Sequence, residues 1–301
     1  MKKTITADLL LLFVAFIWGA TFVLVQNAIA ILPPFTFNAV RFLLAGIPLL
    51  IILLFLRKKQ GNASVDKKVV FAGTILGVWL FFGYGLQTLG LVYTTSSKAG
   101  FITGLSVVLV PIICFLWLKE KIHKQAIIGV SIATVGLYFL TMFDYLAFNI
   151  GDFFVLLCAV SFAVHIVLTG KFTKVYTAIT LTTVQIFTVA ILSMISSVLF
   201  EQPWLLRAHD LLHTEVIFAL LICAFLATTV AFFIQTHVQK FTSPTRVALI
   251  FAMEPVFAAI TAYLWANERL STFAVVGCIF IFVGMLLAEI PLKKKKVELA
   301  A

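Results

Sequence analysis

Glu254 is the residue in this chain with the most chemistry to offer. It stands inside a long apolar run, where a carboxyl group can bind a cation or take up and release a proton. Pro255 follows it and withholds the N–H that the Phe251 carbonyl would otherwise receive, leaving that oxygen open to a ligand or to water. The structural alternative is an ion pair with Arg41 or Arg246 that holds helices together. Arg41, also within an apolar run, either snorkels to an interface or binds a carboxylate, and the first is its commoner fate. Gln87 and Gln235 carry amides that need partners when buried, in neighbouring helices or in a ligand. Tyr84 lies three residues before Gln87, on the same helical face. Trp18, Thr21, Phe22 and Val25 line up at helical spacing, and His165 is a polar group in another apolar run. Such stripes serve either packing or a pocket wall.

The elements that must position these residues are membrane helices. Of 301 residues, 62% are hydrophobic and 11% charged, against about 25% charged in soluble domains. A water-soluble fold of this composition would lack the polar residues to cover its surface. The apolar runs predict ten helices, over 8–31, 35–56, 69–93, 97–118, 123–142, 150–171, 177–200, 214–239, 243–265 and 270–291. Each approaches the roughly 20 residues needed to cross a bilayer, and none alternates as a barrel strand does. The first run is too long, and lacks the cleavage site, for a removable signal peptide. It is expected to stay as the first helix. At membrane depth the Glu254 carboxyl costs roughly 2.5–3.5 kcal/mol, so it is expected to face an interior cavity or a partner.

The net charge of +10 is distributed as a topology signal. With the amino terminus in the cytoplasm, seventeen of the 22 Lys and Arg fall on the cytoplasmic side, Arg207 and Arg269 fall outside, and Arg41, Lys98 and Arg246 lie within spans. This positive-inside bias predicts both termini in the cytoplasm, a multi-pass membrane protein, and basic patches that meet anionic lipid rather than nucleic acid. Cys114, Cys158, Cys223 and Cys278 all fall inside predicted helices without metal-ligand spacing and read as packing residues. His209 and His213, in the loop between Glu201 and Glu215, lack a firm third ligand. That loop reads as an interfacial segment anchored by Trp204, and no metal or cofactor is expected.

The chain also repeats itself. At an offset of 148, Gln87-Thr88 meets Gln235-Thr236, Leu116-Trp117 meets Leu264-Trp265, Glu120 meets Glu268, Lys98 meets Arg246 and Ser106 meets Glu254. Near the start the offset is 144, pairing Asp8 with Asp152, Trp18 with Phe162, Thr21 with His165, and Arg41 with Gln185. Two five-helix repeats, 1–145 and 146–301, are therefore expected. An odd number of helices inverts the second copy, the architecture of alternating access. Lys98 and Arg246 then begin matching helices on opposite faces, as gate charges or as anchors to lipid phosphates. Gly129 with Gly136, and Gly277 with Gly284, stand seven apart and mark a close packing face, within the monomer or at a homodimer seam.

Trp18-Gly19, Arg41-Phe42, Ser97 to Gly104 with Val110-Pro111 and Lys119-Glu120-Lys121, Glu254-Pro255-Val256-Phe257 and Glu268-Arg269-Leu270 together resemble the EamA-type members of the drug/metabolite transporter superfamily. The resemblance covers nearly the whole chain. It implies a secondary transporter, chiefly an exporter of amino acids, other small amphiphilic metabolites or drugs. Phe162 and His165 depart from that pattern, in which many relatives have a Trp and small or polar residues. No nucleotide-binding glycine-rich loop appears. The competing class is an intramembrane enzyme acting on lipid-soluble substrates, which would need a cluster of His, Asp or Glu at one depth, and only Glu254 and His165 lie deep.

Overall fold

In the computed structural model, residues 2–59, 66–119, 123–141, 149–206, 208–265 and 271–289 are described. The calls on Glu120, Lys121, Arg207, Glu268, Arg269 and Leu270, and on the basic tail, lie outside them. Among the described residues every regular element is helical. In chain order these are α1 (Lys2–Ile29), α2 (Pro34–Lys59), α3 (Lys67–Gly90), α4 (Ser96–Gly104), α5 (Ser106–Leu118), α6 (Lys124–Thr141), α7 (Ile150–Phe172) and α8 (Ala178–Phe200). The short α9 (Ala208–Leu211) precedes α10 (Thr214–Leu221), which runs through a π-helical segment, Ile222–Val230, into α11 (Ala231–Val238). Then come α12 (Pro244–Phe251), α13 (Glu254–Trp265) and α14 (Thr272–Glu289).

Eight helical segments are long and apolar enough to cross a membrane; the apolar stretches Lys124–Phe139 and Thr272–Leu287 are shorter. Their outer faces carry exposed Ile51, Phe55, Phe71, Phe115, Leu199 and Phe200, side chains that suit lipid. This is a multi-pass membrane protein.

Helix starts follow the capping residues. The Thr95 side chain caps α4 and that of Ser243 caps α12, each accepting from the backbone three residues on, at Lys98 and Arg246. Asn149 and Asp152 form a reciprocal capping box at the start of α7. The start of α2 is capped from another element. Glu201, just after α8, accepts from the backbone N–H groups of Phe35 and Thr36, both at 2.7 Å, and from the Thr36 hydroxyl at 2.8 Å.

Two predicted helices, 97–118 and 243–265, each carry a turn inside a span that continues, Lys98–Leu118 and Pro244–Thr261. The first breaks at Leu105, between α4 and α5, and the second at Ala252 and Met253, between α12 and α13. Pro255 accounts for the second break, since the Phe251 carbonyl has no N–H to receive. Gly104, a weak helix former, stands at the first. Glu254 thus opens α13 directly after this turn, inside the longer span Pro244–Thr261.

Helices α6 and α14 pack backbone to backbone. A Cβ on Gly136 would lie 2.7 Å from the Gly277 carbonyl oxygen, and one on Gly284 would lie 2.6 Å from that of Gly129. All four glycines therefore serve a seam inside the monomer. Gly19 does the same for α1 and α13, where a Cβ would collide with the carbonyl oxygen of Glu254. Elsewhere α2 packs on α8, and α3 on α7 and α8, with Phe42 and Phe232 fully buried in one core cluster.

Candidate functional site: a cavity between two broken helices

The two helix breaks face one another across a cavity of about 50 Å³. From the first break come Gly100, Thr103, Gly104 and Ser106, and from the second Phe251, Glu254 and Pro255. Trp18, Tyr84, Gln87, Phe162, His165, Ile166, Phe232 and Gln235 complete the wall. A second cavity of about 30 Å³ adjoins it, lined by Trp18, Thr21, Phe22, Val25, Arg41, Tyr84, Gln87, Leu91 and Glu254. All ten residues singled out from the sequence as binding or coupling candidates therefore border one or both spaces. At roughly 10–15 Å³ per water, the larger holds only a few water molecules.

Glu254 borders both cavities and has no ion-pair partner among the described residues. The structural alternative weighed for it, a pair with Arg41 or Arg246, does not form. Arg246 donates to Asp8 instead, from Nε at 2.9 Å and Nη2 at 2.5 Å. Arg41 is 3% exposed, which corrects the snorkelling expectation. Its Nε donates to the Thr228 hydroxyl at 2.9 Å, and its guanidinium lies 4.8 Å from the Tyr84 ring centroid. One carboxyl and one guanidinium thus border the same small space without pairing. In an apolar interior that is costly for the isolated protein unless water or a ligand solvates them.

Aromatic rings surround the carboxyl. Trp18 lies 5.2 Å from Phe232 and 4.9 Å from Phe251, while Tyr84 lies 5.3 Å from Phe162 and 5.9 Å from Phe232. Phe232 is the residue that sequence reasoning missed. The offset of 148 that paired Gln87 with Gln235 also pairs Tyr84 with Phe232, so the signal was present. Trp18 and Phe162 are the corresponding pair from the first helices of each half.

The π-helical segment was invisible in sequence. Its backbone oxygens accept side-chain hydrogen bonds. The Trp18 indole N–H donates to the Ala227 carbonyl at 2.8 Å, and the Thr228 hydroxyl, bonded to the Cys223 carbonyl at 2.7 Å, receives Arg41.

The polar wall divides into satisfied and unsatisfied groups. His165 Nε2 and Gln185 Oε1 stand 2.8 Å apart, and Gln185 Nε2 donates to the Thr236 hydroxyl at 3.2 Å. That is the structural, hydrogen-bonded histidine. Gln87 Nε2 donates to the Thr103 hydroxyl at 3.1 Å. The Thr21 hydroxyl is turned back to its own helix, at the carbonyls of Ile17 and Trp18. Gln235 is 1% exposed, and its Oε1 has no hydrogen-bond partner among the described residues.

Lys98 and Arg246 line neither cavity. Lys98 Nζ donates to Asp152 Oδ2 at 2.5 Å, with both side chains buried. Both bases are thus ion-paired within the protein. His209 and His213 have ring centroids 6.2 Å apart, and no group of three metal-capable side chains forms among the described residues. Trp204 and Leu205 are exposed in a single 3₁₀ turn, Pro203–Leu205.

The sequence profile of the EamA-like transporter family matches this chain twice, over residues 5–142 and again over 149–289. The chain belongs to that family. A protein of Archaeoglobus fulgidus named an uncharacterized transporter is 36% identical over 292 residues, covering 96% of this chain and 87% of its own. The uncharacterized transporter YoaV of Bacillus subtilis is 23% identical, covering 94% of this chain and 97% of its own. A solved crystal structure superposes with a TM-score of 0.76 at 18% identity, covering 94% of this chain and 98% of that one, a likeness of fold. The two profile matches place one helix break, and one of the paired residues Ser106 and Glu254, in each copy.

Proposed function

We propose that this protein is a secondary transporter working by alternating access, moving small amphiphilic metabolites such as amino acids, or drugs, out through the bacterial cytoplasmic membrane. Residues 1–145 and 146–301 are two inverted five-helix repeats, giving ten crossings with both termini in the cytoplasm. The observation that carries this reading is the cavity between two broken helices with the unpaired Glu254 on its wall. Discontinuous helices near the midplane, at the interface of repeats, are where transporters of this architecture bind substrate and coupling ion.

Glu254 is the coupling residue. A proton entering down its gradient competes with substrate for the carboxyl, so proton entry drives substrate exit. Trp18, Phe22, Tyr84 and Phe232 provide the apolar wall for an amphiphile. Gln235 Oε1 and the Ser106 hydroxyl supply acceptors on the larger cavity, and Gln87 and Arg41 supply donors. At about 50 Å³ the cavity must widen to admit such a molecule, as opening to either face would accomplish. Drug-sized pockets run to several hundred Å³.

Proteoliposomes loaded with labelled amino acids or cationic drugs test this directly. Efflux of one class that quickens when the opposite compartment is acidified supports proton-coupled export. Efflux indifferent to the gradient removes the coupling role from Glu254. Well-folded protein that moves nothing across a broad panel counts against transport.

A further inference from the structure

The two ion pairs are mirror images in the sequence. Asp8 and Asp152 correspond at the offset of 144, and Lys98 and Arg246 at 148. Each pair crosses between the halves: the acid of the first repeat holds the base of the second, and the acid of the second holds the base of the first. Both form in this structure, at 2.5 Å.

Their placement links them to the cavity. Asp8 lies on α1, ten residues before Trp18, and Asp152 on α7, ten residues before Phe162, about 15 Å of helix in each case. Lys98 and Arg246 lie at the starts of α4 and α12, each eight residues before the residue that resumes the helix beyond the break, Ser106 or Glu254. So each pair ties the first helix of one half to the broken helix of the other. Those four elements carry much of the cavity wall.

The surroundings of the acids hold them in place. Asp152 also accepts from the Thr94 hydroxyl at 2.7 Å and from the Asn149 N–H at 2.8 Å. Asp8 receives the planar fork of Arg246 through two hydrogen bonds. The Lys98–Asp152 pair is buried, with side chains 7% and 0% exposed, and the Arg246–Asp8 pair is partly exposed, at 29% and 13%.

We propose that Lys98–Asp152 and Arg246–Asp8 are the two gate latches of the transporter, closing opposite ends of the cavity and opening in turn. The proposal rests on the transport reading above for the placement of the pairs on opposite faces, since five crossings separate Asp8 from Asp152. With both latches shut the cavity is small, about 50 Å³. Asp8 and Asp152 are thereby positioning residues for transport: they touch no substrate but set which face the cavity meets.

The test reads accessibility and needs no substrate. Ser106→Cys is introduced after replacing Cys114, Cys158, Cys223 and Cys278 by Ala, and labelling by a membrane-impermeant maleimide is followed in right-side-out and inside-out vesicles. Asp8→Asn is expected to raise labelling from one face by about tenfold, and Asp152→Asn from the opposite face by a similar factor. Exchanging the partners, Asp8→Arg with Arg246→Asp, and Asp152→Lys with Lys98→Asp, is expected to restore slow labelling. Thermal melts of each purified variant separate unfolding from opening. Folded variants that label like the parent, or that both open the same face, overturn the proposal. Opposite-face opening in a protein that moves no substrate leaves the latches standing and removes the transport assignment.

Discussion

The indole N–H of Trp18 donates to the backbone carbonyl of Ala227, 209 residues away, at 2.8 Å. The accepting carbonyl lies in the π-helical segment 222–230. The bond fixes α1 against the long helix that carries Phe232 and Gln235. Trp18→Phe keeps an aromatic wall but leaves the buried Ala227 carbonyl without its donor. The expected loss is about 1–3 kcal/mol of stability, seen as a lower melting temperature in detergent. Unchanged melting would mean that water or a neighbour replaces the indole.

Glu254→Gln preserves shape and removes the charge. Because no cation holds Glu254 in place, the variant is expected to fold and insert as the parent does. Acidifying the outside should accelerate efflux through the parent, since protons then enter in exchange for substrate. The variant should show the same slow rate with and without the gradient. A variant that still responds to the gradient would place coupling elsewhere.

Arg41→Lys keeps a positive charge but loses the planar group that stacks on Tyr84 and bonds Thr228. If the guanidinium receives a substrate carboxylate, an amino acid should lose roughly tenfold in apparent affinity while the matching amine changes little. Equal losses for both would assign Arg41 to holding α2 against the π-helical segment. Competition by the two compounds in the same vesicles measures the difference.

Glu201→Gln tests the capped start of α2. The carboxylate receives two backbone N–H groups and the Thr36 hydroxyl, and it stands where the helix dipole favours negative charge. Its loss should cost about 1–2 kcal/mol of stability, read by thermal melting, with gradient dependence retained.

Eight of the predicted spans were legible because lipid demands long uncharged runs, while the apolar helices Lys124–Phe139 and Thr272–Leu287 are shorter. The glycine seam between α6 and α14 was legible as a packing face, though not as one internal to the monomer. The break at Ala252 and Met253 could be read in part from Pro255. That at Leu105 could not, since Gly104 alone does not stop a helix. Asp8 and Asp152 were visible as a repeat pair, yet nothing in their spacing named Lys98 and Arg246 as partners. Long-range pairing of side chains is settled by helix packing, and local periodicity says nothing about it. The π-helical turns lay deeper still: Ile222 to Val230 is an ordinary apolar stretch whose register is set by what packs on it.

The glycine contacts have a consequence for ancestry. Gly136 meets Gly277 while Gly284 meets Gly129, so each site touches the counterpart of its own partner. A surface with that property is self-complementary, as in an isologous dimer. A single ancestral five-helix unit bearing it would have been able to bind a second copy of itself through the same seam. Fusion of two such units would then have left the contact in place and freed the halves to differ, one keeping a hydroxyl at Ser106 and the other holding a carboxyl at Glu254.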